Sequence, residues 1–326
     1  MATYKGIQGY SVQSLASDPT ASEAVGQLWY NSASNVWKLA AEGSGAWASG
    51  GDTNTDRQEA GGLGSQTAGS VVGGSDGPGS YTANVEEYNG TAWTEVANIQ
   101  GARQSLGGMG TNTAGLVVGG NDGSYVGLSE EWNGTSWAEG NNATDAIGYR
   151  ATTGTQTAGL AAGGSAPTQA SVESYDGTSW SEETAYPSTA ASSAGAAGTQ
   201  TAAIVFGGDG AVTTAFTFNG SAWASAGALN TGRYYINSSG GTQTAAMAIG
   251  GTTDPGVLTV TETYDGTCWT EVADLSVARA RGANHFQTAT QSASLCACGN
   301  NASNARVATT EEWADPSYSI TTVTTS

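Results

Sequence analysis

The sequence predicts a β-propeller, a closed ring of four-stranded antiparallel blades, on three observations. A Gly-rich stretch recurs six times, at residues 64–74 (GSQTAGSVVGG), 110–120 (GTNTAGLVVGG), 154–164 (GTQTAGLAAGG), 198–208 (GTQTAAIVFGG), 241–251 (GTQTAAMAIGG) and, degenerate, 290–299 (TQSASLCACG). Its amide residue falls at Gln66, Asn112, Gln156, Gln200, Gln243 and Gln291, in steps of 46, 44, 44, 43 and 48 residues, the period of a small repeated β unit. Second, Asn89-Gly90, Asn133-Gly134, Asp176-Gly177, Asn219-Gly220 and Asp265-Gly266 recur in phase, and such pairs favour two-residue hairpin turns. Third, an aromatic ladder frames those turns. Tyr88, Trp132, Tyr175, Phe218, Tyr264 and Trp313 precede them, and Trp93, Trp137, Trp180, Trp223, Trp269 and Tyr318 follow.

Each unit reads as a meander of strands a to d. In the third, a strand near 150–153 leads through a turn at 154–156 to a strand at 157–162 that ends on Gly163-Gly164. A variable loop follows, then a strand at 171–175, the Asp176-Gly177 turn and a strand through Trp180. The repeat units run about 47–93, 94–137, 138–180, 181–223, 224–269 and 270–318. Six blades are expected, with N-terminal strands at the seam. Trp47 lies one period before Trp93 and has the phase of a last strand. Residues 317–325 offer a competing last strand through Tyr318. A seventh blade completed by strand-like pieces within 28–47 is the alternative. Residues 1–27 read as an arm or attachment segment, and 28–326 as one propeller domain.

Composition narrows the function classes. Forty-nine glycines would suit disorder, but here they are phased with the repeat, and aromatics reach 8%. Nine Lys and Arg face 28 Asp and Glu, which argues against nucleic acid as a partner, since phosphate binding needs clustered cations. An acidic surface keeps copies apart and attracts divalent cations, the one metal association expected; no cofactor is. The start of the chain lacks an apolar signal core and no apolar run approaches 18 residues, so neither secretion by a standard leader nor membrane insertion is expected.

Ten residues past the Trp stands an Arg in most units: Arg57, Arg103, Arg233 and Arg279, with Arg150 at thirteen. Two residues before the third-strand aromatic stands a Glu: Glu86, Glu130, Glu173, Glu262 and Glu311. One unit lacks both, carrying Ala190 and Phe216. Joint loss predicts that each Arg pairs with the Glu of its own unit, as a partly buried bidentate bridge of structural purpose.

Catalytic chemistry is poorly supplied. Cys296 and Cys298, two apart on a predicted strand, would share a face, and Cys268 stands alone. With His285 the only histidine, a zinc set lacks ligands, and no His-based dyad can be repeated. Residues 174–180 (SYDGTSW) resemble a sialidase Asp-box, but the Asp is a turn residue that Asn replaces elsewhere. A glycosidase would need two carboxylates across a cleft. No catalytic, cofactor or metal residue is assigned.

In an up–down blade the a–b and c–d turns share one edge, while the b–c and d–a loops share the other. The first edge carries the repeated turns. The second carries b–c loops at 75–83, 121–127, 165–170, 209–214, 252–258 and 300–306 that differ in length and sequence. They hold the candidate interaction residues Asp76, Tyr81, Asp122, Tyr125 and Asp254, since loops released from a repeat are where binding resides.

The Gly-Gly after strand b, the aromatic before the turn and the Trp opening strand d resemble the kelch repeat over about residues 47–318. The Ala- and Gly-rich run before Gly-Gly and the short turns depart from it. The chain more closely resembles the kelch-like proteins of marine tailed phages, including cyanophages. That likeness rests on the GTQTA–GG repeats, on residues 4–32 (YKGIQGYSVQSLASDPTASEAVGQLWYNS) and on the closing VTTS. Residues 26–40 (GQLWYNSASNVWKLA) resemble β elements of tail and fibre proteins. The resemblance implies a structural protein of the virion, present in multiple copies and without enzymatic activity. It would be a tail- or fibre-associated module for host attachment, joined to other virion proteins through its arm and meeting a host surface glycan or protein. A capsid decoration or tail-lattice subunit is the alternative, and a glycan-active enzyme comes third.

Overall fold

The computed structural model describes residues 13–20, 24, 26–42, 45–165, 169–253, 256–283, 286, 290–315 and 318–323. Its contacts divide the chain into two units, 46–314 and 1–45 with 315–326. The first is the propeller, so the boundary falls at Ala46 and not at residue 28. Strands Leu28–Asn31 and Val36–Glu42, expected at the seam, lie in a sheet of their own with Ser14–Leu15 and Tyr318–Thr322.

Five blades have four described strands each, a to d in chain order. Blade 1 is Gly61–Ser65, Ala68–Val72, Val85–Tyr88 and Trp93–Val96; blade 2 is Gly107–Thr111, Ala114–Val118, Ser129–Trp132 and Trp137–Glu139. Blade 3 is Ala151–Thr155, Ala158–Ala162, Val172–Tyr175 and Trp180–Glu182; blade 4 is Gly195–Thr199, Ala202–Phe206, Ala215–Phe218 and Trp223–Ser225. Blade 5 is Ser238–Thr242, Ala245–Ile249, Thr261–Tyr264 and Trp269–Glu271. Blade 6 comprises Ala293–Ala297, Thr310–Ala314 and, from the start of the chain, Ala46–Ser49. The a-strands of blades 1 to 5 touch in succession, and Ala293–Ala297 touches both ends of that row, which closes the ring.

The closing strand corrects one expectation. Trp313 pairs in register with Trp47, while Tyr318 pairs with Glu42 in the other sheet. The sixth unit has Ala314-Asp315 where the others have Asn-Gly or Asp-Gly. The glycine of those turns has φ of 87° to 92°, and the sixth unit has no glycine at that place to take it without strain. The ladder is completed by the Trp47 and Trp313 rings, 5.5 Å apart, matching Tyr88 with Trp93 at 4.9 Å and the other in-blade pairs.

Small residues let the a-strands crowd the axis. In blades 1 to 4 the first four residues of strand a are buried, and a Cβ on Gly108 would sit 2.4 Å from the Gly62 carbonyl oxygen. Larger apolar side chains fill the wedges between blades; Leu63, Val85, Leu106, Val117 and Trp132 form the one between blades 1 and 2. The paired glycines after strand b are a backbone requirement: Gly73 and Gly74 have φ of 61° and 104°, and the Gly74 amide donates to the Arg103 carbonyl of the next blade. In blade 6 the first of them is Cys298, at φ 59°. This left-handed residue lies past the strand end, so the two cysteines do not share a face. Cys296 packs with Met247 and Trp313, and Cys298 with Ala60 and Tyr88.

The amide side chains are clamps between blades. Gln156 Nε2 donates to the carbonyls of Gly115 (3.0 Å) and Trp132 (2.8 Å), at the paired ends of strands b and c of the preceding blade. Gln66, Gln200, Gln243 and Gln291 repeat the arrangement at their own seams.

The five Arg and Glu residues of each set pair within their blades: Arg57 with Glu86, Arg103 with Glu130 at 2.6 Å, Arg150 with Glu173, Arg233 with Glu262, and Arg279 with Glu311 at 2.5 Å. They are fully buried, and the bridge is not bidentate. In each, one carboxylate oxygen takes the guanidinium and the other a backbone amide: Asn54, Gln100 (2.7 Å), Thr144, Asn230 or Ser276 (2.8 Å). Each amide lies seven residues past the preceding Trp. In the unit without the pair, that position is Pro187, which has no N–H to give. There Tyr186 fills the space, buried and edge-on to Phe216 (5.3 Å) and Trp223 (5.0 Å).

Candidate functional site

Two residues before the a-strands of blades 1 to 4, three before that of blade 5, and at Arg281 in the sixth unit, the backbone turns left-handed: Glu59, Ser105, Tyr149, Ser193, Tyr235 and Arg281 have φ of 46° to 59°. None is glycine, and left-handed backbone in an ordinary residue costs about 1–2 kcal/mol. Five backbone hydrogen bonds link them around the axis, from Tyr235 through Arg281, Glu59, Ser105 and Tyr149 to Ser193. The Ser105 amide donates to the Glu59 carbonyl (2.7 Å), Tyr149 to Ser105 (2.9 Å) and Ser193 to Tyr149 (3.0 Å). Arg281 donates to Tyr235 (3.2 Å) and Glu59 to Arg281 (2.5 Å).

These residues belong to d–a loops, so their side chains gather on the variable edge. Glu59, 3% exposed, accepts from Ser105 Oγ and the Tyr149 hydroxyl at 2.7 Å each, and from Arg281 Nη1 at 2.5 Å. The Arg281 guanidinium lies 3.4 Å over the Tyr235 ring. Tyr235 meets Tyr149 edge-on at 5.5 Å and Tyr234 at 4.9 Å. Four blades thus supply one ion pair and its aromatic surround, and blade 2 supplies a serine. Burial, then the Glu59 charge, raises the Tyr149 phenol far above its ordinary range, so it stays a donor. For Arg281, burial acts against the charge, but the electron-rich oxygens of Tyr235 and Glu59 prevail and the guanidinium is held more firmly protonated.

Of the residues expected to mark this edge, Tyr125 approaches the cluster: a Cβ on Gly148, next to Tyr149, would sit 2.9 Å from its ring. Asp122 is exposed and caps its own loop, accepting from the Ser124 amide at 3.3 Å. Asp76 is exposed and Tyr81 half-buried in the blade 1 loop, and nothing draws either to the axis. Asp254 and His285 lie outside the described residues. The axial six went unread in the sequence because their common phase, twelve or thirteen residues past the Trp, carries five amino-acid exchanges and no repeated type beyond Ser and Tyr. Among the described residues no group of three or more His, Cys, Asp and Glu is placed to hold a metal, and no helix is long and apolar enough to cross a membrane.

Neither a protein-family model nor a curated protein matches the chain. Solved structures do. One, titled "Structure of YjhT", matches with a TM-score of 0.66 at 13% identity, over 82% of this chain and 99% of that one. The likeness is one of fold. It supports the propeller and carries no residue role across.

Proposed function

We propose that the chain is a non-enzymatic interaction module of a phage particle, with the variable edge as its recognition face. The observation that carries this reading is the contrast between the two edges. Repeated turns and amide clamps occupy one, each alike in five of the six units. On the other, four residue types share one backbone position in its six copies, linked by the axial hydrogen bonds and flanked by loops of unequal length. A rigid frame presenting dissimilar side chains is the usual construction of a binding surface. A catalytic role is disfavoured because the Glu59 carboxylate already accepts from three donors and stands opposite a cation, not a second carboxylate.

The partner on that face would be a host surface glycan or protein. Attachment to other virion proteins would run through residues 1–45 and 315–326. Their sheet exposes Leu28 (42%), Trp37 (41%) and Val323 (40%), three of the four exposed large apolar side chains among the described residues. The test is binding of purified protein to host cells. Exchange of the b–c loops at 75–83 and 121–127 is expected to abolish it, and deletion of residues 1–27 to leave it intact. Binding that survives the exchange and fails on the deletion would transfer recognition to the other unit and favour the architectural reading.

A further inference from the structure

The seam between blades 1 and 2 departs from the others twice, at one spot. Five seams carry the glutamine clamp, but this one has Asn112, a methylene shorter, whose side-chain amide makes no hydrogen bond among the described residues. By register, the carbonyls left without a clamp are those of Gly69 and Tyr88. The second departure concerns a glutamate on strand c. Where Glu131 and Glu312 occupy this position, each accepts from the tyrosine hydroxyl of the following blade, Tyr175 at 2.6 Å and Tyr88 respectively. Glu87 faces Trp132 instead. The indole N–H there is engaged by the Asn112 carbonyl at 2.8 Å, and Glu87 Oε1 is buried without a hydrogen-bond partner. Burial raises the Glu87 pKa, with the nearby indole holding it down in part.

Both departures open on the same hollow of about 360 Å³, lined by Thr67, Glu87, Tyr88, Asn89, Thr94 and Asn112. We propose that this hollow is a binding site for a donor-bearing organic cation, an ammonium or guanidinium group of the kind a lysine or arginine side chain presents. An N–H cation in the hollow would pair with the Glu87 carboxylate by a charge-assisted bond and occupy the place of the missing glutamine amide. The field of an acidic protein, with 28 Asp and Glu against nine Lys and Arg, draws cations to it. The proposal is independent of the recognition face, since this hollow lies on the edge of the repeated turns.

The indole N–H of Trp132 reports on the site by NMR. Titration of the intact protein with n-butylammonium is expected to move that resonance saturably, while tetramethylammonium, which has no N–H, leaves it in place. Glu87→Gln and Asn112→Gln are each expected to weaken the response at least tenfold, with the remaining indole signals confirming an intact ring. A free amine and a protein side chain are distinguished by repeating the titration with a short lysine peptide, which binds at least as tightly if a partner chain is the source. Equal shifts from tetramethylammonium, a shift from calcium alone, no saturable shift, or an unchanged response in both variants would overturn the assignment.

Discussion

At the residue scale, five glutamine side chains join neighbouring blades by reaching backbone carbonyls. Each glutamine clamp makes two neutral hydrogen bonds to carbonyls of the preceding blade. Gln200→Ala is expected to cost about 1–3 kcal/mol, the penalty for leaving partly buried acceptors bare, measured by urea unfolding. Glu87 gives a prediction in pH. Its pKa is raised, so the folded protein binds a proton more readily than the unfolded chain. The associated stability is fully present below the ordinary glutamate range and is lost as pH rises through the raised value. Glu87→Gln should therefore melt above the parent at pH 7, and the difference should shrink as both are acidified toward the ordinary range. A constant difference across that window would contradict the assignment. The arginine and glutamate pairs were legible because the chain displays a unit that lost both. Their third member was not, since a backbone amide has no residue identity and betrays itself only where Pro187 removes it.

At the scale of the element, blade 4 shows an apolar alternative to the buried ion pair within the same molecule. Tyr186, Pro187, Ala190 and Phe216 stand where blade 2 has Ile99, Gln100, Arg103 and Glu130. Breaking a buried pair by one partner leaves a charge uncompensated, so Glu130→Ala alone is expected to destabilise by about 3–5 kcal/mol. Transplanting all four blade 4 residues into blade 2 should cost much less than that, because buried pairs are often replaceable by packed apolar groups at little net loss. Chemical denaturation of the two variants decides the matter. Strand order within a blade was legible from the turn dipeptides, and the aromatic ladder from its five-residue step. The sixth blade misled because Tyr318 keeps the step after the turn that gives it meaning has gone.

For the whole molecule, closure rests on a strand that is distant in sequence. Trp47 donates its indole N–H to the Ala273 carbonyl (3.1 Å) and Thr261 Oγ1 (3.2 Å), tying blade 6 to blade 5. Contacts this far apart along the chain make folding slow, since the whole ring must form before its last strand docks. A chain beginning at Gly50 would leave Thr310–Ala314 as an unpaired edge, and such edges recruit other chains. Size-exclusion chromatography is expected to show it as oligomer or aggregate, and a monomer of native melting temperature would disprove this account of closure. The number of blades was readable from the period. The separate sheet was not, because its strands follow no repeat and their partner lies at the opposite end of the sequence.

The pairing of Ala46 with Ala314 puts the two points where the chain enters and leaves the ring side by side. Seen from the small sheet, whose strands Val36–Glu42 and Tyr318–Thr322 are direct neighbours, the entire propeller is an excursion between two adjacent strands. It is a cassette. Recombination at that single doorway would exchange one propeller for another of any blade number while the small sheet stayed unchanged, whereas no cut inside the ring would leave either part whole.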